Sequence, residues 1–335
     1  MVGKTASCAA MALTVGAYLA PQHARVVAVL AVLLVTGLSL LGVTRSARVS
    51  ELIVAVVLTV VLALVLTALL RAGGWISAVP ASRVGTLGTV DVGARGVLRG
   101  AGLLFFAFAG YARIATLGEE VRDPERSIPR AVVIALAAVT LIYAVVGVLV
   151  LRVLGVSATA RSTAALSDVA GVLWGSGVTP AMAAVAAAAA LGALLNLLLG
   201  ISRTALAMAR DAHLPEVLST VGAVRAVPWV AELTVAAVVL AVVLVVDLRG
   251  AIGFSSFGVL VYYAVANACA WTLRGDWRLA AVVPVHGLIG CLVLAASLPL
   301  SSVLSGLAVV GLGLLWYAVN RRTLVTPSRG LSPKR

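Results

Sequence analysis

The chain has 335 residues, 62% of them hydrophobic and only 11% Asp, Glu, Lys or Arg, with a mean hydropathy of +1.14. A soluble globular domain carries about 25% charged residues, so this composition excludes a water-facing surface and with it a soluble fold. The formal net charge of +13 does not point to nucleic acid, because the arginines stand singly between apolar runs with no basic stripe or stacking aromatics around them.

The apolar runs repeat a length of about 20 residues, which matches a hydrocarbon core ~30 Å thick. They are continuous rather than alternating, which excludes barrel strands and leaves helices to pair every backbone N–H and C=O in lipid. The fold class is therefore all-α and polytopic. Ten spans are predicted, over 4–19, 26–43, 52–70, 98–117, 129–153, 178–202, 229–247, 251–273, 279–299 and 302–319. The first is short and begins almost at Met1. A signal peptide competes there, since Lys4 precedes an apolar run and Ala20-Pro21-Gln22-His23-Ala24 resembles a cleavage site.

Two connections are long. The one over 71–97 is rich in Gly and holds Pro80 and Asp91. The one over 203–228 carries a helical stretch, Arg203–Asp211, then Leu214-Pro215, and ends at Pro228. The tail after the last span is polar and basic. With the N-terminus inside, sixteen Lys and Arg (Lys4 among them) fall in inner segments and eight in outer ones. That bias predicts both termini in the cytoplasm and an even number of helices, which counts against signal cleavage. Arg outnumbers Lys by 23 to 2, as in a GC-rich bacterial genome, so the expected location is a bacterial cell membrane.

The stretch Phe105-Phe-Ala-Phe-Ala-Gly-Tyr-Ala-Arg-Ile-Ala-Thr-Leu-Gly-Glu-Glu-Val-Arg-Asp-Pro-Glu-Arg-Ser-Ile-Pro-Arg130 carries the most information. Small residues at Ala107, Ala109 and Gly110 between aromatics weaken a helix in mid-membrane, and glycine permits unwinding. Unwound backbone at that depth is tolerated where it faces protein or a water-filled cavity, and its freed polar groups can hold a small polar substrate. The same small residues also suit a packing seam between helices. Pro124 ends the span, Ser127 can cap the next helix, and Pro129 is tolerated in a first turn. Glu119, Glu120, Arg122, Asp123, Glu125, Arg126 and Arg130 form either a solvated charged loop or a gate whose pairs break as helices rock. Arg113, inside a span, suits a structural or gating role better than a substrate carboxylate, being six residues from Glu119.

Other polar residues in the spans are weaker signals. Asn196, Ser255, Ser256, Tyr262, Tyr263 and Asn267 suit interhelical hydrogen bonds, His286 suits packing, and Glu232 is expected to face the inner loop. Cys8, Cys269 and Cys291 show neither a disulfide framework nor a zinc spacing. No catalytic cluster, metal site or cofactor motif stands out, which argues against an enzyme.

The Phe105–Arg130 stretch resembles the sixth helix and following loop of the amino acid–polyamine–organocation permeases, whose pattern runs Phe-Phe-Ala-Phe-x-Gly-Phe, a spacer, Glu-Glu, Asn/Asp-Pro and Ser/Thr-Ile-Pro. A second block, Ser202-Arg203, Ala207-Met208-Ala209-Arg210-Asp211, Leu214-Pro215 and Pro228, resembles the family's inner loop between helices eight and nine. The resemblance implies two inverted five-helix repeats and a closing hairpin. It also implies transport of amino acids or related amines, with protons or by exchange. The ten spans then match helices three to twelve. Residues 1–70 form part of the first repeat, 98–273 the second, 279–319 the hairpin and 320–335 a cytoplasmic tail.

The family binds substrate between its broken first and sixth helices. Carried onto this chain, the sixth-helix break places Phe106, Ala107, Ala109, Gly110 and Tyr111 at the substrate. Arg113, Glu119, Glu120, Arg122, Asp123 and Arg126 fall in the gating loop. Helices one and two have no counterpart here, so a transport-inactive remnant, or a protein whose partner helices fill that place, is the alternative to a permease. Two further departures are Ala112, where many members carry an acid, and Val57, near a lysine of some cationic-amino-acid members. The expected partners are a small-molecule substrate and the lipid bilayer.

Overall fold

A computed structural model of the chain describes residues 1–42, 47–71, 93–110, 121, 123–222, 227–273 and 278–324. Twelve helices run in chain order among them: α1 (Val2–Leu19), α2 (Ala24–Leu40), α3 (Ala47–Arg71), α4 (Ala94–Phe108), α5 (Pro124–Leu154), α6 (Val156–Arg161), α7 (Ala165–Trp174), α8 (Thr179–Arg210), α9 (Trp229–Val245), α10 (Leu248–Thr272), α11 (Arg278–Ser297) and α12 (Leu300–Leu324). The described residues hold no strand. The fold is an all-α polytopic membrane bundle. Six of its helical stretches are long and apolar enough to cross a bilayer, and α9, α7 and the Val282–Ser297 part of α11 are shorter apolar helices.

Each of the ten expected spans falls on a helix, and the departures lie at ends and in connections. α8 does not stop near residue 202 but runs on to Arg210, so nearly all of the helical stretch expected over Arg203–Asp211 is its last turns. α5 starts earlier than expected. Pro124 itself stands at its first position, where the missing N–H costs nothing, and Asp123 precedes it in the left-handed region at φ 49°. Ser127 is therefore not the cap, and Pro129 lies inside the helix rather than in its first turn.

α6 and α7 were not expected. They fill the connection between α5 and α8, and Gly155 and Gly175, at φ 77° and 93°, supply the left-handed turns that bracket them. α7 is tied back by Trp174, whose indole N–H donates to the Thr67 hydroxyl of α3 at 3.1 Å. The Arg249 guanidinium of α10 donates to the Ala160 carbonyl at the end of α6.

The core centres on α1. Its buried residues are mostly small: Thr5, Ala6, Ser7, Cys8, Ala9, Ala10 and Ala12. They pack with α2, α8, α9 and α10 into one cluster that includes Val32, Leu194, Leu198, Val239 and Ala251. Small side chains let backbones approach, which is how helices associate where lipid is as apolar as leucine. One such close approach is between α1 and α10. A Cβ on Gly258 would lie 3.0 Å from the Gly3 Cα, and one turn on the Ser7 and Ser255 hydroxyls share a buried hydrogen bond of 2.6 Å. A second cluster joins α4, α10 and α11, and a third joins α3, α5, α7 and α8.

Candidate functional site

α4 stops at Phe108, in the middle of the span expected over 98–117. Its last amide bond is a tightened one, from the Ala109 N–H to the Phe106 carbonyl at 3.3 Å. A helix end leaves its final carbonyls without partners along the helix, and in lipid they must find them elsewhere. Two do so on other helices. The Tyr143 hydroxyl of α5 donates to the Ala107 carbonyl at 3.2 Å, and the Lys4 ammonium of α1 donates to the Ala109 carbonyl at 3.1 Å. The negative end of the α4 dipole favours a cation at that place.

Aromatic edges brace the same end. Phe108 meets Tyr143 edge to face with ring centroids 5.2 Å apart, and Phe105 meets Tyr263 of α10 likewise at 5.7 Å. One turn earlier the Ser256 hydroxyl reaches the Leu103 carbonyl at 3.5 Å. The end of α4 is thus held from three sides, by α1, α5 and α10.

Four of the expected substrate residues sit together here. Phe106 is half-buried against the α1 cluster. The Ala107 carbonyl is the acceptor for Tyr143. Ala109 is buried among α10 and α11 residues. Gly110 is exposed, and a Cβ built on it would meet nothing within 4 Å. Ala109 belongs to a packing seam, whereas Gly110 is exposed. Asp123 and Arg126 lie exposed at the start of α5, where the Asp123 carbonyl accepts from the Arg126 and Ser127 amides. Tyr111, Arg113, Glu119, Glu120 and Arg122 lie outside the described residues.

Sequence reasoning missed two members of this cluster. Lys4 was counted with the loop charges, yet it lies within α1, between the Gly3 and Ser7 contacts to α10. The available signal was its rarity: it is one of two lysines in the chain, set in a helix of small residues. Tyr143 gave no signal beyond being a polar aromatic inside an apolar run. Ser255 makes the interhelical bond expected of it.

Glu232, in the first turn of α9, is only 1% exposed. Its carboxylate lies near Ser39 of α2 and Arg203 of α8, yet neither its Oε2 nor the Ser39 hydroxyl has a hydrogen-bond partner of good geometry.

The second sequence block folds as a helix end. The Met208 carbonyl accepts from the His213 and Leu214 amides, and the Ala209 carbonyl from that of Ala212, which sits at φ 59°. A short turn over Glu216–Ser219 follows, and the two pieces line a shallow open cavity of about 410 Å³. No group of His, Cys, Asp and Glu suited to a metal occurs among the described residues.

Comparison with known proteins agrees with this architecture. The model of a family described as amino acid permease matches residues 2–321. Uncharacterized transporters of Mycobacterium tuberculosis and Mycobacterium bovis are each 55% identical over 325 residues, which is 96% of this chain and 72% of theirs. The vacuolar cationic amino acid transporter 4 of Arabidopsis thaliana is 26% identical over 253 residues, covering 74% of this chain and 40% of its own length.

Proposed function

The chain belongs to the amino acid permease family, and from that premise we propose that it carries amino acids or related amines across a bacterial cell membrane as a secondary transporter. The observation that supports this reading is the end of α4. Its freed carbonyls, beside the open space at Gly110, lie where donors from α1 and α5 converge. A polar break inside an apolar bundle is costly unless it lines a cavity or binds something.

In this reading Phe106, Ala107, Ala109, Gly110 and Tyr111 contact substrate, and recognition runs largely through the backbone. Asp123 and Arg126, with Arg113, Glu119, Glu120 and Arg122, form the inner gate. Residues 1–70 and 98–273 act as the two rocking repeats, with 279–319 as a closing hairpin. Both termini face the cytoplasm, as the Lys and Arg bias of the loops supports. Alternating access is driven by a proton gradient or by exchange.

The test is uptake by purified protein in liposomes, across a panel of all common amino acids and their decarboxylated amines. It is run with and without a pH gradient, and with preloaded substrate for exchange. Saturable uptake of at least one compound is expected. Silence across the panel in both modes would overturn the reading.

A further inference from the structure

Among the described residues Glu232 is the one acidic side chain that is buried. It stands in the first turn of α9, a helix packed on α1, α2 and α8. Its Oε2 has no hydrogen-bond partner, and the equally buried Ser39 hydroxyl of α2 has none either. A carboxylate taken out of water without donors is among the costliest groups a bundle can hold, so an orphan of this kind needs a reason. With a proton on Oε2 the cost falls away. The group is then neutral and a donor, and the Ser39 oxygen is free to accept.

Two features suit the ion instead. Arg203 of α8 lies near the carboxyl and is itself exposed, and the first turn of α9 is the positive end of that helix. The charged form is therefore admissible once α9 moves toward Arg203 and water. Other charged or titratable groups on the elements packed against α9 are engaged elsewhere. Arg210 and Glu216 line the open cavity, the Lys4 ammonium donates to the Ala109 carbonyl, and Cys8 is enclosed by apolar neighbours.

We infer that Glu232 is a proton-binding site that ties pH to the packing of α9: its carboxyl holds a proton while α9 lies against α2 and α8, and gives it up when these helices part. On parting, the O–H bond at Oε2 breaks, its electron pair stays on the oxygen, the proton passes to water, and the carboxylate is left beside Arg203. The site itself does not depend on what is carried. Its effect on transport rests on the reading above. Each parting releases a proton, so parting becomes easier as pH rises.

The test uses the full chain in liposomes as wild type, Glu232→Gln and Ser39→Ala, each checked beforehand for a single monodisperse gel-filtration peak. Infrared spectra are recorded near neutral pH, where exposed carboxyls are ionised. Wild type is expected to show the carbonyl band of a protonated carboxylic acid. The band should be absent in Glu232→Gln and moved to higher frequency in Ser39→Ala, where the acid loses its acceptor. Exchange of the amino acid best taken up in the panel above is then followed between about pH 6 and 8. The wild-type rate is expected to rise with pH, by up to about tenfold per unit, and the Glu232→Gln rate to stay flat.

A wild-type spectrum without the band overturns the inference, and this result needs no variant to fold. A band that survives Glu232→Gln overturns it as well. If Glu232→Gln yields no folded protein, the Ser39→Ala spectrum decides, and an unmoved band counts against the site. A wild-type exchange rate indifferent to pH, or a slope that survives Glu232→Gln, breaks the link between the proton and the packing of α9. All these results leave the transport reading standing. A wild type that moves nothing in the panel removes that reading, while the spectra still test the site by themselves.

Discussion

α3 and α10 are each 25 residues long, and they make opposite use of their apolar residues. The spanning part of α3 has a mean hydropathy of 3.1 and is 6% buried, while α10 has 1.4 and is 44% buried. The more hydrophobic helix is the more exposed one. In water this order would be reversed, because burial there follows apolar area. In a bilayer, lipid offers leucine the same company as protein does, so hydropathy no longer decides what is covered. α10 is covered because Gly253, Ser255, Ser256 and Gly258 let neighbours come close. α3 turns Leu52, Leu58, Leu62 and Leu66 outward, and its Thr59 hydroxyl bonds only its own Ala55 carbonyl among the described residues.

The largest expected effect breaks the comparison on its packed side. Leu260 of α10 is fully buried, in the cluster with Phe257 and Tyr263 that also holds Ala109. Leu→Ala in a water-soluble core costs about 2–5 kcal/mol, made of a transfer part and a cavity part. For a protein in lipid the transfer part falls away and the cavity part stays. Leu260→Ala is therefore expected near the low end, about 2 kcal/mol. A thermal melt in detergent would read this as a clear drop in melting temperature, and an unchanged midpoint would show that the packing around the α4 end is looser than described.

A smaller effect sharpens the account of how α10 is held. The Ser7–Ser255 bond is buried and short. Hydrogen bonds between membrane helices average about 0.6 kcal/mol by double-mutant cycles, because the alternative partners in the bilayer are themselves not poor. Ser7→Ala and Ser255→Ala should therefore couple by about that amount. A coupling of zero would assign the closeness of α1 and α10 to Gly3 and Gly258 alone. Tight steric contact and hydrogen bonding would then be separable at one seam.

The same contrast explains what was legible in the sequence. The helices under the ten expected segments were readable because a long run of apolar residues needs no tertiary information. The end of α4 was readable in part, from Gly110 and its small neighbours, although those residues fit a seam as well as a break. α6 and α7, of 6 and 10 residues, fall below the length at which hydropathy speaks. The contacts of Lys4 and the burial of Glu232 were not foreseen, for one reason. A charge near the end of an apolar run is ordinarily a loop charge, and only the neighbouring helices determine that these two are covered. For Lys4 the decisive neighbours are Gly258 and Ala109, and for Glu232 they are Ser39 and Arg203. None is near its partner in sequence, so no local pattern could have shown the contact.

The smallest effect is the control for all of this. Leu62 lies in the middle of α3 and is 57% exposed. Leu62→Ala removes the same atoms as Leu260→Ala. Alanine is at least as good a helix former, lipid chains fill the vacated volume, and no cavity survives. The expected change is within about 0.5 kcal/mol in either direction. If the two variants melt alike, burial inside this bundle contributes nothing that lipid does not, and the difference between α3 and α10 is one of position only. If Leu62→Ala alone were strongly destabilising, the outer face of α3 would be covered by protein in the membrane, and a crosslinker placed at residue 62 would identify what covers it.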